Sequence, residues 1–478
     1  MRWAPLTRKI RWQRVAHLNR LPRLVPTSVP PQSADFPGLD SGLGLPPIIW
    51  LLLTVLTCLA FFFKFQRIWS LRNLDLLLLF TLTPGLVQLA SHTNEHEWWA
   101  FVWLFLGTAV WLIRCLLDLG LARRPLLEPN VNVGGLAFFY TGLLGLVFVE
   151  TMIVPESSWT QRNPGDPHAR AQDQEPQGAV TAATQPESGR LMSRVNQAIK
   201  NAPTQYLRRS AAALGHLGIC LGLMLIGWKH YERITIGLAM AVCYLILPYT
   251  RIALVDSGQL VPAALVVLAV LEYRQPATAG CLLGLASAWM PAAIGLIPLW
   301  LGFYWHRGAK YFLVSALAIL ATGRLMAVGI PAFGSWARGL GARTLGEAGL
   351  LPSSEDPVYD SFWTGVDPAY RLPVLVLYLA FVVTASLWPS GKNLGQLIAM
   401  SAALLLGSQF WYLNDGGAMI VLYLPMILLL IFRPNLSTKY PVAIDPNAGP
   451  NWFIRLLKGR KKRQPRQSGA GLEISPSA

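Results

Sequence analysis

The stretch TAGCLLGLASAWMPAAIGLIPLWLGFYW, Thr278–Trp305, decides how the rest of the chain is threaded. It carries no charged residue over 28 positions. As a single helix it would extend about 42 Å, well beyond a hydrocarbon core of about 30 Å. The Trp289–Pro291 step is a natural break, because proline removes a backbone donor. One tilted span would leave both chain termini in the cytoplasm. A hairpin of two short helices reverses everything before it relative to everything after it.

Composition places this stretch in a membrane. Of 478 residues, 53% are hydrophobic and only 13% charged, against about a quarter charged in soluble proteins. Apolar blocks near 47–64, 74–90, 100–121, 132–154, 211–228, 234–249, 258–272, 278–305, 309–328, 373–388, 395–412 and 417–433 have roughly the length of a span. The expectation is an all-α polytopic membrane protein with about 12–13 spans. The first long apolar run starts near Pro47, too far in for the layout of a signal peptide.

The chain divides by composition into a basic tail (1–46), a first group of spans (47–154), a polar, largely disordered loop (155–209), and a central membrane module (210–329). An external loop (330–372), three last spans (373–433) and a basic C-terminal tail (434–478) follow. The net charge of +16 is concentrated in the tails. The first holds seven Lys/Arg against two Asp, and the last holds eight against one Asp and one Glu. Such tails hold a chain end in the cytoplasm and attract anionic lipids, so the KGRKKRQPR run, Lys458–Arg466, is read as membrane-facing and not as a nucleic-acid site. The five cysteines are scattered through apolar segments and form no CxxC pair, which points to neither a disulfide framework nor a thiolate metal site.

Positive charge between spans favours the hairpin. Lys64, Arg67 and Arg72, Arg123 and Arg124, Lys229 and Arg233, and Arg274 all fall in short connections that would then be cytoplasmic. The C-terminus is expected in the cytoplasm and the protein in the cytoplasmic (inner) membrane. On this threading the N-terminal tail lies outside unless the 47–64 block fails to span.

PYTRIALVDSGQLVPAALVVLAV, Pro248–Val270, then emerges at the external side with Arg251, Asp256 and Gln259 in an otherwise apolar run. Ionisable residues at membrane depth usually face a partner or a wet cavity. Asp256 and Arg251 read either as an interfacial ion pair or as the rim of a site in which Gln259 binds a hydroxylated ligand.

Gly258 and Gln259 open the span, Arg274 follows in a basic turn, then Gly280, Gly284, Leu285, Ala286 and Pro291, and finally His306, Arg307 and Lys310. Over about residues 248–312 this resembles the central signature of the GT-C membrane glycosyltransferases, in particular the family 87 polyprenyl-phosphate-mannose-dependent mannosyltransferases. Glycines four apart also let any two membrane helices pack closely. The chain departs from the family in placing Trp289 and Met290 where a lysine precedes the proline, and it lacks the long first external loop that carries the family's catalytic Asp.

The resemblance implies transfer of a mannose-type sugar from a polyprenyl-phosphate donor to an acceptor hydroxyl, with no required cofactor. That chemistry needs a carboxylate to take the hydroxyl proton and a cation to hold the departing phosphate. External candidates for the base are Glu95, Glu97, Glu150, Asp256, Asp360 and Asp415, of which Asp256, flanking the resembling segment with Arg251, is taken as the catalytic base. Arg251 and Arg371 are the candidate phosphate partners, and Trp363 and Tyr370 offer faces for a sugar ring. His92, Glu95 and His96 share a helical face and suit a divalent cation. A hydrated loop anchored by Trp98 and Trp99 suits the same residues.

Asp75, Arg114 and Asp118 are expected to snorkel or cap at span ends, and Asn414 and Asp415 to cap the last span. A catalytically inactive GT-C-like scaffold and a transporter or flippase are the competing accounts. No P-loop, dinucleotide fingerprint or nucleophile elbow is present.

Overall fold

The computed structural model describes residues 47–64, 69–90, 97–120, 127–153, 187–305, 307–350, 362–363, 366–436 and 439–441, and for 187–203 the backbone alone. The chain is an all-α polytopic membrane protein with no strand among these residues. The N-terminal tail, most of the 155–209 segment and most of the C-terminal tail lie outside the described residues.

The helices in chain order are α1 (Pro47–Phe62), α2 (Leu71–Leu78), α3 (Thr83–Ala90), α4 (Glu97–Leu117), α5 (Val133–Ile153), α6 (Glu187–Lys229), α7 (Ile234–Ile246) and α8 (Pro248–Ile252). There follow α9 (Ser257–Leu271), α10 (Pro276–Trp289), α11 (Leu296–Phe303), α12 (Ala309–Gly329), α13 (Pro331–Gly339), α14 (Pro368–Leu387), α15 (Leu394–Ser408) and α16 (Ile420–Phe432). Two boundaries differ from the sequence reading. Residues 187–209 are helical, a continuation of α6 toward its N-terminus, and the first part of the 330–372 segment is the helix α13.

Length sorts the helices into a rim and a core. Five stretches are long and apolar enough to cross a bilayer: Trp98–Gly120, Val133–Ile153, Thr204–Lys229, Ala309–Gly329 and Ala369–Leu387. Only 11% of the apolar window of α12 and 17% of that of α14 is buried within the chain, so lipid is the natural solvent for these two helices. The interior is built from shorter helices. α16 is buried along all 13 residues, and α7, α9 and α15 along nearly all of theirs. At 13 to 15 residues these helices reach only about 20–22 Å, roughly 8–10 Å less than the hydrocarbon core. Irregular backbone at such depth is stable only when protein or a wet cavity surrounds it.

The Thr278–Trp305 block is a hairpin. α10 stops at Trp289, Met290 is extended, Pro291–Gly295 forms a 3-10 turn, and α11 runs back. The end of α11 returns to the residues just before α10, where the Tyr304 hydroxyl donates to the Tyr273 carbonyl at 2.5 Å. The outgoing arm packs on α12 through its small residues. A Cβ on Gly284 would lie 3.1 Å from Ala316 Cα, and one on Gly280 would run into the Phe312 carbonyl and the Ser315 hydroxyl. The glycine pair thus has a packing reason independent of any family signature.

The hairpin makes the two ends of the bundle chemically different. One end gathers the basic connections: Lys229 pairs with Glu272 at 2.8 Å, Arg233 with Glu128 at 2.7 Å and Lys439 with Glu232 at 2.7 Å, and Arg307 donates to the Pro441 carbonyl. Beneath it lies a buried ionic network. Asp75 of α2 accepts Arg114 Nε and Nη2 at 2.6 and 2.7 Å, Asp118 accepts Arg114 Nη1 at 3.1 Å, and Arg433, just past α16, closes on Asp118. The expected snorkelling is therefore wrong: all four groups are buried, because each finds an opposite charge on another element.

Candidate functional site

The opposite end carries the segments 248–256, 289–295, 330–350 and 409–419, and their meeting point is Arg343. Its backbone N–H donates to the Trp289 carbonyl at 2.8 Å, and its carbonyl accepts Arg324 Nη1 at 2.9 Å. Its guanidinium reaches Asp415 at 2.8 Å and the Asn414 carbonyl at 3.3 Å. Arg324, deep in α12, also donates to the Ser287 carbonyl at 3.2 Å. Burial by itself would lower the pKa of Arg343. The neighbouring Asp415, Tyr412, Asp256 and Glu347 reverse that, so the guanidinium holds its proton more tightly than usual.

Asp256 caps α9 beside this hub. Its Oδ1 accepts the Gln259 N–H at 3.3 Å and its Oδ2 accepts Gln259 Nε2 at 2.8 Å, satisfying a free donor of the first turn. The side chain is half-buried and lies at the end away from the basic connections. Gly258 is dictated by a close approach. A Cβ there would stand 2.9 Å from the Gly341 carbonyl and 3.0 Å from Asp256 Oδ1. Gly341 itself sits at φ +91°, a region that suits glycine, and the Ser257 hydroxyl donates to the Leu340 carbonyl at 2.6 Å. The 340–343 backbone is thereby pinned to the mouth of α9.

The other sequence candidates are placed as follows. Arg251 pairs with Glu150 at the end of α5. Gln259 is buried with its Nε2 spent on Asp256 and its Oε1 without a partner. Trp363 Nε1 donates to the Phe410 carbonyl at 3.0 Å, and its ring stands edge-on to Phe362. Arg371 donates to the carbonyls of Trp411, Ala348 and Gly349 at 2.8, 3.1 and 2.6 Å, which makes it a clamp between two turns. Asp415 does not cap the last span. α16 begins at Ile420 with Met419 at its N-cap, and Asp415 is turned toward Arg343. His92, Glu95, His96 and Asp360 lie outside the described residues.

Sequence reasoning passed over Arg343 and Glu347, both in the GARTLGEAGL turn, Gly341–Leu350. The available signal was an arginine and a glutamate held among glycine and alanine in a loop otherwise short of charge. Burial raises the pKa of the Glu347 carboxyl above the ordinary carboxylate range, with Arg343, Thr344 and Arg338 acting against the shift.

Around Arg343 five side-chain polar atoms are buried without a hydrogen-bond partner: Gln259 Oε1, Ser287 Oγ, Trp289 Nε1, Arg324 Nε and Asn414 Oδ1. Each belongs to a residue that bonds to Arg343 or Arg324, is Arg324 itself, or flanks Gly258 at the hub. An unpaired buried polar group costs roughly 1–3 kcal/mol. Native proteins keep few of them. The arrangement presents two acceptors, two donors and a hydroxyl that serves as either.

Comparison with protein-family models, curated proteins and solved structures finds no match to this chain.

Proposed function

We propose that this integral membrane protein is a GT-C-like transferase that moves a mannose-type sugar from a polyprenyl-phosphate donor to an acceptor hydroxyl. The observation that carries the reading is the set of partnerless buried donors and acceptors on residues around the Arg343 hub. A polyol satisfies such a mixed set, because each hydroxyl both gives and accepts a hydrogen bond. One further feature agrees with it. Arg324 and Arg343 supply positive charge for an oxyanion that develops as that phosphate departs.

Orientation follows from charge. With the basic connections in the cytoplasm, the hub opens to the external side of a cytoplasmic membrane, and the C-terminus stays inside. In this reading Arg251 and Arg371 hold the site's walls, Gln259 and Trp363 line it, and the basic tails contact anionic lipid.

The test uses purified full-length protein in proteoliposomes, polyprenyl-phosphate mannose with a radiolabelled sugar, and a panel of hydroxylated acceptors. Transfer is expected, with a loss of at least tenfold in kcat/KM for Asn414→Leu and for Asp256→Asn. No transfer to any acceptor from any lipid-linked sugar would overturn the reading. The discontinuous helices α2/α3 and α10/α11 also suit a transporter, and flux of the lipid donor across the same vesicles without transfer would select that account.

A further inference from the structure

Three carboxylates border the Arg343 hub, and two of them are already occupied. Asp256 spends both oxygens on Gln259 and on the cap of α9. Asp415 is ion-paired with Arg343. Glu347 makes no ion pair among the described residues. It sits in the turn that Arg371 holds by the Ala348 and Gly349 carbonyls, with its own N–H on the Thr344 hydroxyl at 3.1 Å. That turn is rigid on two further counts: Gly349 takes φ +70°, and the Leu350 N–H returns to the Leu345 carbonyl at 2.9 Å. The side chain is half-buried.

We propose that Glu347 is the base that takes the proton of the acceptor hydroxyl, an assignment that rests on the transferase reading above. The acceptor oxygen forms a bond to the anomeric carbon while its O–H proton passes to the Glu347 carboxylate. The bond from that carbon to the donor phosphate breaks, and its electron pair leaves with the polyprenyl phosphate. The departing charge falls toward Arg324 and Arg343. Four groups face the carboxylate electrostatically: Arg343 and Arg338 from its own side of the chain, Arg324 from α12, and Tyr412 from the 409–419 loop. Burial outweighs the arginines and leaves a carboxylate more basic than a solvated one, the direction that suits a general base.

The experiment compares wild type, Glu347→Gln and Glu347→Asp in the proteoliposome transfer assay, each over pH 4.5–9. Glu347→Gln is expected to lose about 10²–10⁴ in kcat, the usual contribution of a general base, with KM within threefold. Glu347→Asp recovers part of the loss. The acid limb of the wild-type profile is expected above the ordinary carboxylate range and absent from Glu347→Gln. Wild-type transfer that persists within tenfold in a folded Glu347→Gln overturns the assignment and leaves the transferase reading intact. Absence of wild-type transfer overturns both. Should neither variant fold, the wild-type profile decides: an acid limb at or below the ordinary carboxylate value of about 4.3 rules Glu347 out.

Discussion

Asp118→Asn is the sharpest probe of how the two halves of the chain are tied together. Asp118 takes Arg114 Nη1 at 3.1 Å and closes on Arg433, with all three side chains below 10% exposed. Asparagine keeps the shape, removes the charge and turns an amide donor toward two guanidinium groups. Arg114 still holds Asp75 through two bonds at 2.6 and 2.7 Å, so its charge remains balanced. Arg433 does not have that reserve, since its Nε already lacks a partner. Removing one member of a buried pair costs about 3–5 kcal/mol. The expectation is a loss in that range in unfolding free energy, read by titrating SDS into detergent micelles. Arg433→Met in the same assay should rescue part of it, with the double variant falling short of the sum by at least about 1 kcal/mol. A loss below about 1 kcal/mol, or strict additivity, would refute the idea that this network fastens α2 and α4 to the end of α16.

Three further outcomes follow from the geometry. Burial, with Lys229 and Arg274 assisting and the Leu271 carbonyl and Glu272 opposing, brings His230 down to about 4. The unfolded chain therefore binds its proton first below about 6.5, and this residue's share of stability is expected to fall by about 3 kcal/mol between pH 6.5 and 4, the part of the slope that His230→Gln should remove. Gly284→Leu pushes a side chain into the Ala316 backbone, with a predicted loss of about 2–3 kcal/mol in the same SDS titration; unchanged stability would show that α10 and α12 are less tightly packed. Arg371→Met releases three carbonyls at once and should cost about 2 kcal/mol, with faster hydrogen exchange at Ala348 and Gly349 as its local signature.

Fold class was legible because it depends on composition and block length, which are local properties. The hairpin was legible for a different reason: Pro291 breaks a block too long for one crossing, and the charges on either side agree with a reversal. The site was only partly so. Asp256, Gly258 and Gln259 stood out because polar residues at the start of an apolar helix conflict with their surroundings. Their partners did not, since pairing across elements leaves no mark on spacing. Arg251 finds Glu150 across 101 positions and Arg343 finds the Asp415 carboxylate across 72. Of the four-charge network, only Arg114 and Asp118 share a helical spacing, which is why they resembled surface residues that snorkel. Glu347 carried only a compositional signal, because its burial depends on a loop whose course no periodicity predicts.

The thinness of the core has an electrical consequence. The membrane potential falls across whatever is dry, and in the orientation proposed above that is a septum of about 20–22 Å, with the Arg343 hub at its outer edge. A full crossing is worth about 2.3 kcal/mol per elementary charge per 100 mV. A proton given up at the hub returns to the water on the same side and never traverses the septum. Turnover by the proposed transferase should therefore be indifferent to an imposed voltage, whereas any process that carries charge between the hub and the basic end would feel nearly all of it.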